Sequence, residues 1–279
     1  MSTDRKNINF FSVIPEPSFL VNANNENEVY SLFNKAFPCV GLYNFTYQNE
    51  VYYFDIKSFD EDAMFGLFCK VESEIDPFMQ LRDNTTSKAG PLVLPHNNNL
   101  EYYTFFYISF EKRLMSTIYN KKASSLEKIL TQFLHKEGSL VYLTPLIVDN
   151  INSYMGLFRN FTEIECSFSE DNMSNPPFRR IGALSNLDAD IGSYKISFKI
   201  SRVGNGFIDQ IGNLDTSEFK TFRIKGKSDE SVQNCIDLVE KTFTKRVSIT
   251  LTDDEISDIA KIKDILRNET LKVIHNHSV

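Results

Sequence analysis

Tryptophan is missing from this 279-residue sequence, and cysteine and histidine occur only four times each. No GxSxG, Walker A or HExxH pattern occurs, so the short signatures of serine hydrolases, P-loop enzymes and zinc proteases are missing. No CxxC pair occurs either. Cys39, Cys69, Cys166 and Cys235 are scattered, each inside an apolar run, a pattern that reads as buried free thiols in a reducing compartment. No apolar run is long enough to span a bilayer, and Asp4, Arg5, Lys6 and two prolines stand in the first twenty residues. A cytoplasmic location is therefore expected. Positive charge is short as well: the net charge of −7 and a pI near 5.3 exclude a wholly basic nucleic-acid coat protein, while leaving room for one basic face on an acidic body.

What the chain has is apolar bulk. Hydrophobic residues make up 42%, with 24 Phe and 12 Tyr, enough for a sizeable core, and the length favours two domains. Strand patterns cover Ile8–Ile14, Cys39–Tyr47, Val51–Ile56, Ala63–Glu72, Tyr102–Phe110, Leu140–Val148, Phe161–Phe168 and Tyr194–Arg202. Aromatics on both faces of Tyr102–Phe110 imply a central, doubly covered strand. Helices are expected from an Asn25/Glu28 start to Phe37, from a Ser124/Glu127 capping box to Gly138, over part of 151–158, before Gly212, and after a Thr252/Glu255 cap. Residues 74–100, punctuated by Pro77, Pro91 and Pro95, read as a long loop with one helical turn at Phe78–Leu81. Ser169–Pro177 (SEDNMSNPP) has linker composition. The expected fold is therefore α+β: two lobes of mostly antiparallel sheet with helices packed on one side, an N-terminal domain at 1–170 and a C-terminal domain at 178–279.

The chain is organised around Phe219–Leu251, which reads as a basic strand, a turn, a short apolar run and a second β-branched strand. Lys220, Arg223, Lys225 and Lys227 fall within eight residues. Arg223, Lys225 and Lys227 share one parity of the strand and so one sheet face, while Phe222 and Ile224 take the other and pack inward. Such a face could hold a phosphate backbone. Arg179, Arg180, Lys245 and Arg246 supply two further basic pairs that would join it if the fold converges. The alternative is a solvated edge strand decorated with lysine against aggregation.

An enzymatic alternative lies in the same region. Asp209 or Asp215, with Glu218-x-Lys220, loosely resembles the carboxylate and lysine pattern of Mg²⁺-dependent nucleases. Gly204-x-Gly206 is a turn rather than a dinucleotide fingerprint, since Asp209 stands where the third glycine would be. His275-x-His277 has no third ligand nearby. Neither metal nor cofactor is expected.

Phe222-Arg223-Ile224-Lys225-Gly226, Ile236-Asp237-Leu238 and the order of strands and helices around them resemble the phage-exclusion family of RexA type and related abortive-infection families. The resemblance implies a cytoplasmic, homodimeric, non-catalytic protein that binds double-stranded DNA with little regard to sequence. It also implies that activation passes to a separate membrane effector. A third expectation, from the aromatic strands and the 74–100 loop, is a protein-interaction subunit of a defence complex.

Overall fold

A computed structural model describes residues 3–16, 28–72, 80–82, 89–91, 99–123, 125–147, 151–169, 193–204, 206–217, 219–228, 232–250 and 259–273. In chain order the strands and helices are β1 (Thr3–Pro15), α1 (Glu28–Ala36), β2 (Gly41–Tyr47), β3 (Glu50–Phe59), β4 (Ala63–Glu72), β5 (Gln80–Arg82), β6 (Ala89–Pro91), β7 (Leu100–Ser109), β8 (Leu114–Ile118), α2 (Leu126–Lys136), β9 (Val141–Pro145), α3 (Ile151–Met155), β10 (Asn160–Ser169), β11 (Ser193–Lys199), α4 (Phe207–Gly212), β12 (Thr221–Lys227), β13 (Val232–Asp237), β14 (Thr242–Thr250) and α5 (Ile259–Leu271). The protein is α+β with a large antiparallel sheet. None of the described helices is long and apolar enough to cross a membrane.

The chain divides into two compact units. One comprises Met1–Phe10, Pro145–Ser257 and Val273–Val279, and the other Phe11–Thr144 and Asp258–Lys272. This division differs from the expected 1–170 and 178–279 lobes. β10 and β11, on either side of the linker-like 169–177 stretch, pair with each other inside one unit. That composition marks a connection within a sheet.

In the second of these units the strand order runs from β1 through β8, β7, β4 and β3 to β2. Phe54, Ile56, Met64, Phe68, Phe106 and Ile108 alternate along their strands and share one face, where Val29 and Phe33 of α1 and Leu126, Ile129, Leu130, Phe133 and Leu134 of α2 close over them. Both helices carry this stripe at three- and four-residue spacing. Phe133 stacks among Phe37, Phe45 and Phe54 at ring separations of 4.9, 5.7 and 5.2 Å. The opposite face is covered too. Tyr107 and Ser116 are register partners there, and Thr270 of α5 donates to Ser116 Oγ at 2.7 Å. The expectation of helices on one side alone does not hold in this unit, but the expectation of a doubly covered aromatic strand does.

Three local expectations change. Ser124 lies outside the described residues, and the N-cap of α2 is Ser125, which makes no side-chain capping bond. Gln80 and Leu81 belong to a short strand pair, not a helical turn. Cys39 is exposed, Cys69 and Cys166 are buried, and Cys235 is half-buried; all are free thiols. Gly138 does end α2 as expected, at φ +75°, a left-handed conformation open to glycine.

In the first-named unit the order is β11–β10–β12–β13–β14–β1. Ile164, Cys166, Phe222, Ile224, Val232, Ile236, Phe243 and Ile8 alternate onto one face, and nearly all are buried. Tyr154 of α3 meets Phe243 at 4.9 Å, and Phe10 stacks on the same ring at 6.0 Å. The Phe158 ring lies against Gly226, where an added Cβ would come within 2.4 Å of the ring and 2.9 Å of the Asn160 carbonyl. Gly226→Ala therefore overpacks this sheet and costs about 2 kcal/mol, read as a lower urea midpoint at unchanged m-value; an unchanged midpoint contradicts the packing described.

Candidate polyanion-binding face

The face opposite that core is polar from strand to strand. Register places Lys195, Ser197 and Lys199 of β11 beside Ser167, Glu165 and Glu163 of β10. These in turn sit beside Thr221, Arg223 and Lys225 of β12, with Lys227 opposite Asn160. Arg223, Lys225 and Lys227 face Asp237, Cys235 and Gln233 of β13, which lie beside Thr242 and Thr244 of β14. The pleat accounts for this arrangement, since in a paired antiparallel sheet residues of one parity on every strand meet on the same side.

The parity expected for Arg223, Lys225 and Lys227 is present, with Phe222 and Ile224 buried beneath them. Their setting differs from a decorated edge. β12 is paired on both sides, by β10 and β13, so its cations do not serve to block an edge. Among the described residues the edge of this sheet is β11, and it carries Lys195 and Lys199.

At the centre is Glu165, whose side chain is 8% exposed. Its Oε2 accepts from Lys225 at 2.8 Å and lies 3.0 Å from Lys195 Nζ, while Arg223 Nη1 stands 3.7 Å from Oε1. Lys225 also donates to Glu163 at 3.2 Å, and Ser197 donates to that carboxylate's other oxygen. Arg223 Nε donates to Asp237 Oδ2 at 2.9 Å, and Asp237 Oδ1 accepts the Val239 and Glu240 amides at 3.1 and 3.4 Å. Three carboxylates and three cations thus balance. Sequence reasoning missed Glu163, Glu165 and Asp237, although the alternating glutamates of β10 were a visible signal.

Of the other expected residues, Lys220 and Lys227 are exposed. Lys245 is buried on the apolar face, opposite Asn234 in register and 5.8 and 5.9 Å from the Phe10 and Phe243 ring centres; it therefore leaves the set. Arg246 pairs in register with Gln233 and Asn7, and its side chain lies outside the described residues, as do Arg179 and Arg180. For the nuclease alternative, Glu218 is also outside them, Asp209 is exposed on α4, and Asp215 accepts the Ser217 amide at 3.0 Å. Among the described residues no group of three or more His, Cys, Asp or Glu is placed to hold a metal. No protein-family model matches the chain, and no curated protein matches it.

Burial would raise the Glu165 carboxyl, but hydrogen bonds from Lys225 and Lys195 outweigh it and hold the acid below its ordinary value. The Ser197 hydroxyl, and then Lys225, lower Glu163. Burial opposes the Lys225 ammonium, yet Glu165 and Glu163 raise it. The two acids therefore stabilise the fold fully above the free-acid value of 4.5, and that contribution is lost as pH falls below it. The Lys225 contribution is complete below 10.5 and is lost as pH rises past it. Glu165→Gln should flatten the acid limb of a urea-stability profile. It should also cost roughly 2–3 kcal/mol at neutral pH, less than a fully buried pair because Lys195 and Arg223 reach water. An acid limb as steep as in the parent contradicts the network.

Proposed function

We propose that the chain is a non-catalytic, largely sequence-independent double-stranded-DNA-binding component of an anti-phage exclusion system, and that the polar sheet face is its DNA surface. One observation carries the reading. In a chain of net charge −7, the described residues of this solvent-facing side set five cations, Lys195, Lys199, Arg223, Lys225 and Lys227, against four carboxylates, Glu163, Glu165, Asp237 and Glu240. Cations in excess on one face are the electrostatic footprint of a polyanion site. Because Arg223 and Lys225 are already matched by carboxylates, phosphate contact falls to the exposed Lys199 and Lys227, together with the exposed Lys195, which it would share with Glu165, and the exposed Lys220 just before β12. Such contacts read backbone and carry no base information. The resemblance to the exclusion family supplies the setting: a cytoplasmic sensor that signals to a separate membrane effector.

The proposed homodimer is favoured by a different observation. β2 ends its sheet and, among the described residues, pairs with β3 alone. Its sequence GLYNFTY holds no charge and no proline, and Leu42 is 66% exposed. Edges lacking such guards invite a further strand, and an uncharged one can meet its own copy without repulsion. Leu42→Lys should halve the mass of the dimer in light scattering; an unchanged mass removes β2 as the contact.

For DNA, four phosphate contacts give a log–log salt slope of about −3.6. Fluorescence anisotropy with two unrelated duplexes should show equal affinities, and a roughly 150-fold loss over a fourfold rise in salt. Lys199→Gln with Lys227→Gln should reduce the slope by about 2. No binding, or an unchanged slope in the double variant, overturns the assignment.

A further inference from the structure

In the middle of the polar face the sheet is hollowed into a pocket of about 520 Å³, within the size range of small-molecule sites. No aliphatic or aromatic side chain lines it, so a nucleobase has no ring to stack on and a quaternary ammonium no ring face to sit against. Asn7, Gln233, Thr242 and Thr244 bring amides and hydroxyls. Each of these offers an oxygen that accepts hydrogen bonds.

The lining is negative in balance. Arg223 and Lys225 meet four carboxylates there, Glu163, Glu165, Asp237 and Glu240. Three of the four are matched: Lys225 serves Glu163 and Glu165, Lys195 reaches Glu165 from β11, and Arg223 is held by Asp237. Glu240 has no such match. Its amide donates to Asp237 at 3.4 Å, while its carboxylate takes no hydrogen bond or ion pair among the described residues. Glu163 keeps room as well, since a carboxylate offers about four acceptor sites and Ser197 and Lys225 fill only two of them. The thiol on the lining adds no charge, because burial pushes Cys235 up to about 11.

The two acids with acceptors to spare stand apart. Glu163 lies on β10 and Glu240 follows β13, two strand spacings or about 10 Å away across β12. No three acids among the described residues are placed to hold a single metal ion. A cation with its charges spread along a chain can reach both acids where a point charge reaches one.

We infer that this pocket binds a small aliphatic polyamine, one ammonium on Glu240 and another on Glu163, with Asn7, Gln233, Thr242 and Thr244 accepting further N–H bonds. The site goes beyond the DNA reading: duplex contacts lie on the exposed lysines around it, and a bound polyamine would cancel the negative excess at their centre. The full chain, without DNA, is titrated calorimetrically at low salt with spermidine, n-butylamine and magnesium chloride. The expected result is one spermidine per chain, with n-butylamine and Mg²⁺ each at least tenfold weaker. Glu240→Gln, at an exposed position, should weaken spermidine binding at least fivefold. Glu137→Gln removes the same charge from an exposed site in the other unit and should leave the affinity unchanged, which separates the pocket from general attraction to an acidic chain. Lys199→Gln with Lys227→Gln should not weaken binding even if duplex affinity is lost, so the two readings fail separately. Urea midpoints confirm that each variant is folded, and Thr244→Val, which keeps the shape and loses a hydroxyl, should weaken binding at least threefold and keeps the test open should Glu240→Gln unfold. Three results overturn the inference: no binding of spermidine at millimolar concentration, n-butylamine or Mg²⁺ bound as tightly, or an affinity changed no more by Glu240→Gln than by Glu137→Gln.

Discussion

A carboxylate with almost no access to water needs cations at hand, and Glu165 sets that condition for the whole polar face. Burying an ion costs several kcal/mol unless partners compensate. Glu165 meets the cost with Lys225, Lys195 and Arg223, drawn from the strands on either side of β10. Each neighbour is then constrained in turn. Lys225 is shared with Glu163, and Arg223 is turned to Asp237, which is held by the amides of the turn after β13. The network thus spans four strands, and a one-residue slip of register would move its charges onto the apolar face.

Much of this was legible in short-range pattern and little of it in long-range pairing. Alternation along Phe222–Lys227 tells which side chains point inward, because the pleat has a period of two. The same rule applied to Phe243 and Lys245 places both on the inner face, whereas charge alone assigns Lys245 to the basic surface. The partners of Lys225 come from β10, some sixty residues earlier in the chain, and sequence spacing carries no trace of that register. Helix stripes in α1 and α2 are equally plain. The second covering helix of β7 is not, since α5 arrives from the far end of the chain. The division into units escapes for the same reason: tertiary pairing alone tells whether β10 and β11, on either side of the linker-like composition at 169–177, meet again.

The functional reading rests on how the charges are distributed between centre and surroundings. Fixed ion pairs at the centre keep Arg223 and Lys225 oriented but largely neutralised, so their contribution to long-range attraction is small. In the proposed reading the exposed lysines at the margin of the face carry that attraction, which would suit a surface that accepts any duplex sequence.

Lysine acetylation footprinting read by mass spectrometry, with and without saturating duplex, tests the central claim most directly. The account predicts that Lys195, Lys199, Lys220 and Lys227 lose reactivity when DNA is present, while Lys121, Lys128 and Lys263 of the other unit keep theirs. Protection confined to that other unit, or no protection at all under saturation, would contradict it.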